Sequence, residues 1–395
     1  MVNRGDSFHD CWANIGALIQ MKDSIQSTIA PRGFDCGHIE AAHQRVEEMR
    51  TSPADTLEPP TVLELEQALG GKVVKCELWT TNWRNRVYRV KLASGRAALA
   101  KQVVRGTDAN VQYQYDQLGV LARLQIRGLR VPKALALLRA KRVCVMEFAR
   151  GKTIQALVWD RTNEDDMILA CELAGKILAQ IQIAQTDEIS PMPVEALAHD
   201  LAAAPWHLSS REQTILESAL ESLAGAKVRI GHVYYDYKPA NLLFENDQLS
   251  LVDPPDVLRQ GVLLWDFSCF RSSMRRHLWR FSLRRPFDRR RAMIKEATAL
   301  FQRSYLASFD KLCPEPALFA TAATLFELQR TAVLLTMQRG KVNLARRKMP
   351  IARDGSLGNP LANRLTLLYL EMEKRWLFLQ LARELAICVP GCELP

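Results

Sequence analysis

The chain lacks most of the features that assign a sequence at a glance. No stretch reaches the roughly 18 consecutive apolar residues of a membrane-spanning helix. The start, MVNRGDSFHDCWANIG, has neither a long apolar run nor a small-residue cleavage site, so a secretory signal is not expected there. The nine cysteines (Cys11, Cys36, Cys76, Cys144, Cys171, Cys269, Cys313, Cys388 and Cys392) are scattered, with no C-x-x-C pair. That pattern argues against a disulfide framework or a zinc site and fits reduced thiols in a cytoplasmic protein. Aromatics make up only 7% of residues and are not grouped for base stacking, so nucleic acid is not an expected partner.

What is present is a globular composition. The 395 residues are 48% hydrophobic and 24% charged, enough for a sizeable core divided among two or three units. The formal net charge of +10 implies an anionic partner without choosing among nucleotide, acidic substrate, membrane surface and nucleic acid.

Residues 1–58 mix short helical pieces with turn-rich stretches such as RTSPADTLEPP and read as an appendage and linker, with Met49 an alternative start. From Thr61 the pattern sharpens. TVLELEQALGG reads as a short helix ending at Gly70-Gly71, followed by strand-like runs KVVKCELW, NRVYRVKLA and RAALAKQVV. Helical spacing over 108–127 and two further strands, KALALLRA and RVCVMEFA, complete an expected N-lobe of residues 59–148. Residues 149–395 read as mainly helical, with helices over about 163–186, 208–225, 290–309, 315–338 and 359–387. The exception is the strand–loop–strand region around 227–268, which includes an expected catalytic loop at 231–256.

Inside that exception stands YYDYKPANLLF, where Asp236 and Asn241 have the spacing D-x-x-x-x-N, and the next strand, LSLV, ends on Asp253. Each residue alone is an ordinary turn former. Together, at one end of a small hairpin, two carboxylates and an amide suit phosphoryl transfer, whose catalysis is mainly positioning and charge neutralisation. One carboxylate orients an attacking hydroxyl and accepts its proton, while oxygen donors suit Mg²⁺.

YYDYKPANLLF…LSLVDPPD…GVLLWDFSCF resembles the catalytic core of the protein-kinase-like superfamily, in the style of its aminoglycoside and choline phosphotransferase branch. The resemblance spans about residues 72–270 and implies an α+β bilobal fold, with a small antiparallel-sheet N-lobe carrying one helix and a larger helical C-lobe. It implies Asp236 as base, Lys238 near the transferred phosphate, Asn241 and Asp253 as Mg²⁺ ligands, and Asp266 as a buried brace of the catalytic loop. ATP would be the phosphate donor. Lys101, alone among apolar neighbours in AALAKQVV, would reach its α- and β-phosphates. In RVCVMEFARG, Met146 would line the adenine pocket, and the backbones of Glu147 and Ala149 would pair with the base.

The sequence departs from the family pattern in three places. The loop TTNWRNR has no glycine, leaving Asn82 or Asn85 to make the turn; Gln114 and Asp116, read as a solvated helix face, stand where an acid would pair Lys101; and Tyr234 replaces a His. The basic run at 271–295 reads as a solvated helix face, or as arginines gripping an anionic acceptor or an acidic membrane at its inner face. The expected activity is therefore ATP- and Mg²⁺-dependent phosphorylation of a hydroxyl on a small molecule, sugar or lipid-linked glycan. Two alternatives remain at this stage: a kinase-like regulator that binds nucleotide or a partner, and a basic membrane- or nucleic-acid-binding protein.

Overall fold

Thr61 and Gly70 set the ends of a short helix. Thr61 Oγ1 accepts from Glu64 N at 3.2 Å, Glu64 Oε2 accepts from Thr61 N at 2.7 Å, and Gly70 closes the helix at φ 62°. This is α2 (Val62–Leu69), preceded by α1 (His38–Thr51). Both belong to a computed structural model that describes residues 38–51, 57–82, 84–160, 162–255, 260–307, 316–346 and 360–388. Most of the expected appendage, including Cys11 and Cys36, lies outside the described residues, as do Asp256, Cys313 and Cys392.

Strands β1 (Val73–Thr81), β2 (Asn85–Leu92) and β3 (Ala97–Val103) lead into α3 (Asp108–Arg123), the short β4 (Leu129–Arg130), β5 (Ala134–Leu138) and β6 (Val143–Glu147). Five of these form an antiparallel sheet in the order β1-β2-β3-β6-β5. Alternation along each strand gives the sheet two apolar faces. Val90, Ala98, Ala100 and Val145 pack beneath Leu65 of α2, whereas Val103, Cys144 and Met146 pack with Val111 and Leu118 of α3.

Beyond the sheet come β7 (Lys152–Thr153), α4 (Ile154–Trp159), α5 (Glu164–Ala184), β8 (Thr186–Pro191), α6 (Val194–Ala202) and α7 (Ser210–Ser222). Next are β9 (Lys227–His232), β10 (Leu242–Glu245), β11 (Gln248–Leu251) and β12 (Gln260–Val262). Four helices close the chain: α8 (Leu264–Arg284), α9 (Arg290–Ala307), α10 (Pro316–Arg346) and α11 (Pro360–Cys388). The fold is thus mixed α+β and kinase-like, an antiparallel sheet followed by a helical part. Strand β8 and helix α6 carried too little periodicity to be read from sequence.

The basic run departs in part from its expected free surface: Arg280, Arg284, Arg285, Arg289 and Lys295 are exposed, but four other arginines are not. Arg271 and Arg275 of α8 both bind Glu327 of α10; Arg275 also meets Glu373 of α11 at 2.8 Å, and Arg276 meets the same carboxylate at 3.0 Å. Arg290 is buried and donates from Nε to Val158 O at 2.9 Å. These four arginines tie helices together inside the fold and are not available to a membrane or an acceptor. The physical reason is that Glu327 and Glu373, fully buried in α10 and α11, require counter-charges. By length and composition, α5 and residues Leu318–Asn343 of α10 could cross a membrane, but 83% of the latter window is buried within the fold.

Candidate active site

The loop between β9 and β10 is held from beneath by α8. Asp266, fully buried, accepts from Tyr234 N and Tyr235 N, each at 2.7 Å. Burial outweighs those two N–H bonds and pushes its carboxyl up to about 7. Trp265 Nε1 donates to Tyr235 O at 3.2 Å, so consecutive residues of α8 grip consecutive residues of the loop. Tyr235 itself sits at φ 67°, a left-handed conformation that costs a non-glycine residue energy and is maintained here by those bonds.

Asp236 follows Tyr235. Its Oδ2 accepts from Lys238 Nζ at 2.5 Å and from Asn241 Nδ2 at 3.2 Å, and its Oδ1 accepts from Arg330 Nη2 at 3.2 Å. Burial opposes its ionisation, but Lys238 and Arg330 outweigh that effect and hold the carboxyl below the usual range. Asp236 is therefore a fixed carboxylate with both oxygens engaged.

Asn241 closes a short 3₁₀ turn opened by Pro239, and the β10–β11 hairpin then brings Asp253 back to it. Leu242 pairs with Leu251, and Val252 N donates to Asn241 O at 3.2 Å, so Asn241 and Asp253 share one end of the hairpin. Across from them, Lys101 emerges from β3 with its side chain only 9% exposed and its Nζ bound to Asp253 Oδ1. The Asp253 carboxylate remains 41% exposed and thus open to the cleft. The structure therefore brings Lys101, Asp236, Lys238, Asn241 and Asp253 together, with Asp266 behind them.

At the far end of the sheet Met146 and Ala149 are buried, and Glu147 has its side chain and its backbone N–H engaged. Its carboxylate meets Arg130 at 3.1 Å, and its N–H donates to Lys133 O at 2.8 Å. The glycine-free loop is closed by Asn82, whose Oδ1 accepts from Arg84 N at 2.9 Å and Asn85 N at 2.8 Å. An Asx-type turn replaces glycine's conformational freedom there. Gln114 is buried, which corrects the reading of a solvated face at that position, while Asp116 accepts from its neighbour Gln112 at 2.9 Å. With a neutral amide at 114, the carboxylate that pairs Lys101 comes from Asp253.

This kinase-like fold, with a braced loop carrying Asp236 and Asn241, defines a phosphotransferase class. The model of the phosphotransferase enzyme family matches residues 76–294, more than half of the chain, and the protein belongs to that family. Among solved structures it is similar to a thermostable mutant of aminoglycoside phosphotransferase APH(4)-Ia in ternary complex with AMP-PNP and hygromycin B. That match has 12% identity and a TM-score of 0.49, covering 84% of this chain and 99% of that one. A macrolide 2'-phosphotransferase from Brachybacterium faecium is similar at 14% identity and a TM-score of 0.47, covering 78% of this chain and 95% of that one. No curated protein sequence matches.

Arg330 is the main site residue that sequence reasoning missed. It lies 94 residues from Asp236 in α10, beyond the family match, and its guanidinium also sits 5.8 Å from the Trp265 ring centroid. The one available signal was a lone arginine among apolar residues in LFELQRTAVLL, a position that demands a buried partner. Because Arg330 lowers the Asp236 carboxyl, the contribution of that carboxylate is present above its unfolded pKa and lost as pH falls through the folded one. Arg330→Met is therefore expected to move the acid limb of the activity profile to higher pH, with turnover down about tenfold. A pH profile of ATP turnover checks this; an unmoved acid limb would count against the pairing.

Proposed function

We propose that the protein transfers the γ-phosphoryl group of ATP to a hydroxyl on a small molecule, with Asp236 orienting the acceptor and taking its proton. The observation that carries this reading is the placement of the Asp236 carboxyl between Lys238 and Arg330, on the loop that also presents Asn241. The acceptor oxygen bonds to phosphorus as the bond to the ADP oxygen breaks, and Lys101 and Lys238 balance phosphate charge. The backbones of Glu147 and Ala149, with Met146, frame the adenine end. The finer choice among small molecule, sugar and lipid-linked glycan rests on the acceptor's fit to the helical part.

The donor set fits Mg²⁺. Asn241 and Asp253 offer an amide oxygen and an accessible carboxylate at one hairpin end, and no group of three or more His, Cys, Asp or Glu side chains is placed for a metal among the described residues. Few protein ligands, all oxygen, suit an ion that keeps waters and binds substrate phosphates. When bound, Mg²⁺ supplies charge neutralisation at the phosphates. Lys101 must then exchange Asp253 for phosphate oxygens, so its present ion pair stores the residue in a ready position.

The test is thermal unfolding with and without ATP and Mg²⁺. A rise in Tm that needs both, and is lost in Asp253→Ala, is the expected result. Stabilisation by ATP alone, unchanged in the variant, would remove Asp253 from the metal site.

A further inference from the structure

Helix α1 lies in the segment read from sequence as an appendage and outside the residues matched by the family model. Yet its first residue reaches the catalytic loop. His38 Nδ1 shares a hydrogen bond of 2.9 Å with Tyr235 Oη, 197 residues away, and its ring stacks on Trp265 at 4.5 Å between centroids. Tyr235 stacks on the same indole at 4.9 Å, and the Arg45 guanidinium lies 5.5 Å from the Tyr235 ring centroid. The strained residue immediately before Asp236 is thus packed by side chains of both α1 and α8.

The same helix is anchored at three further points. Ile39 N donates to Asp200 Oδ1 at 3.5 Å, and Asp200 Oδ2 accepts from Gln329 Nε2 at 2.7 Å, beside Arg330. Further along, Val46 lies against Gly340 of α10. A Cβ at that glycine would fall 2.5 Å from both Val46 methyls, so only glycine lets α1 lie so close. At its other end, Glu48 O accepts from Arg105 Nη1 at 3.2 Å, and Arg105 stands just past β3, the strand that carries Lys101. From His38 to Glu48 a helix spans about 15 Å, so one rigid element runs from the catalytic loop to the sheet.

We propose that α1 is a strap between the sheet and the catalytic loop, with His38 a positioning residue that acts on Asp236 through Tyr235. An energetically costly φ beside the base persists only while its surroundings over-determine it. The strap supplies two of those constraints, the His38 hydrogen bond and the stacked ring. Its anchor at Arg105 couples loop order to the strand that delivers Lys101. The activity arm of this inference rests on the reading of Asp236 as base; the structural arm does not.

Hydrogen–deuterium exchange on the full chain tests it, comparing wild type with His38→Ala, His38→Phe and Arg105→Met. His38→Ala is expected to speed amide exchange across 234–241 about fivefold or more, with peptides of β2 and β5 unchanged. His38→Phe keeps the stack, guards against loss of fold and should give a smaller acceleration. Arg105→Met, which does not touch the loop, should also speed exchange at 234–241; this is the readout that local packing would not move. With ATP and Mg²⁺, kcat should fall in the same order while KM for ATP holds. Exchange at 234–241 unchanged in both His38→Ala and Arg105→Met would overturn the strap. A response to His38→Ala alone would overturn the coupling and leave His38 a local packing group. If wild type shows no turnover while the exchange pattern holds, the proposed function fails and the strap stands.

Discussion

Asp236→Asn is expected to lower phosphoryl transfer by about 10²- to 10⁴-fold, the range for loss of a general base. The substitution keeps the size of the side chain and one acceptor oxygen, so Arg330 Nη2, now 3.2 Å from Oδ1, still has a partner. What disappears is the negative charge between Lys238 and Arg330 and the oxygen able to take a proton. Binding of ATP and Mg²⁺ should stay near wild type, because Lys101 and Asp253 pair with each other and Asn241 Nδ2 keeps its bond to the Asp236 backbone O at 3.0 Å. Titration calorimetry alongside turnover separates the two effects. Equal losses of binding and turnover would recast Asp236 as a structural member of the loop.

Glu327→Ala is expected to cost roughly 3–5 kcal/mol of stability, the range for breaking a buried ion pair by removing one partner. Glu327 is fully buried between Arg271 and Arg275, and burial opposes its ionisation, yet the two guanidinium groups hold its carboxyl below the ordinary range. Without it both arginines face the interior of the α8–α10 contact, where Arg275 keeps its ion pair with Glu373 and Arg271 loses its own. Replacing the pair by apolar residues, as in Glu327→Leu with Arg271→Met, should recover much of the loss, because a buried ion pair gains little over well-packed hydrocarbon. Urea unfolding of the single and double variants checks both statements. A loss below about 1 kcal/mol for Glu327→Ala would mean that water reaches the arginines.

The parts of this fold that could be read from the sequence are those whose signal is local. The ends of α2 follow from Thr61, Glu64 and Gly70, all within a few residues of one another. Lys101 stood out because its strand neighbours are apolar and β alternation turns it to the α3 side of the sheet, with Met146. Asp236 and Asn241 are linked by a spacing, and the hairpin that returns Asp253 is short enough to be inferred from its strands.

What stayed hidden are contacts made across long sequence separations. Nothing near Arg330 announces Asp236, and nothing near His38 announces Tyr235 or Trp265. The arginines of α8 illustrate the same limit from the other direction. A dense basic run reads as solvated because charge is usually exposed, and only the placement of Glu327 and Glu373 on two distant helices turns Arg271, Arg275 and Arg276 inward. Gln114 reads as a surface residue by its polarity alone, whereas its position, three residues after Val111 and four before Leu118, lies on the buried face of α3.

The reading of the chain as an ATP-dependent phosphotransferase is tested most directly by following the phosphate itself. The protein would be incubated with γ-labelled ATP, Mg²⁺ and a library of hydroxyl-bearing metabolites and glycans, with Asp236→Asn in parallel. The account predicts label in an alcohol phosphate ester, formed by wild type and lost in the variant. Label that stays wholly in ATP, or transfer that proceeds equally in Asp236→Asn, would contradict it.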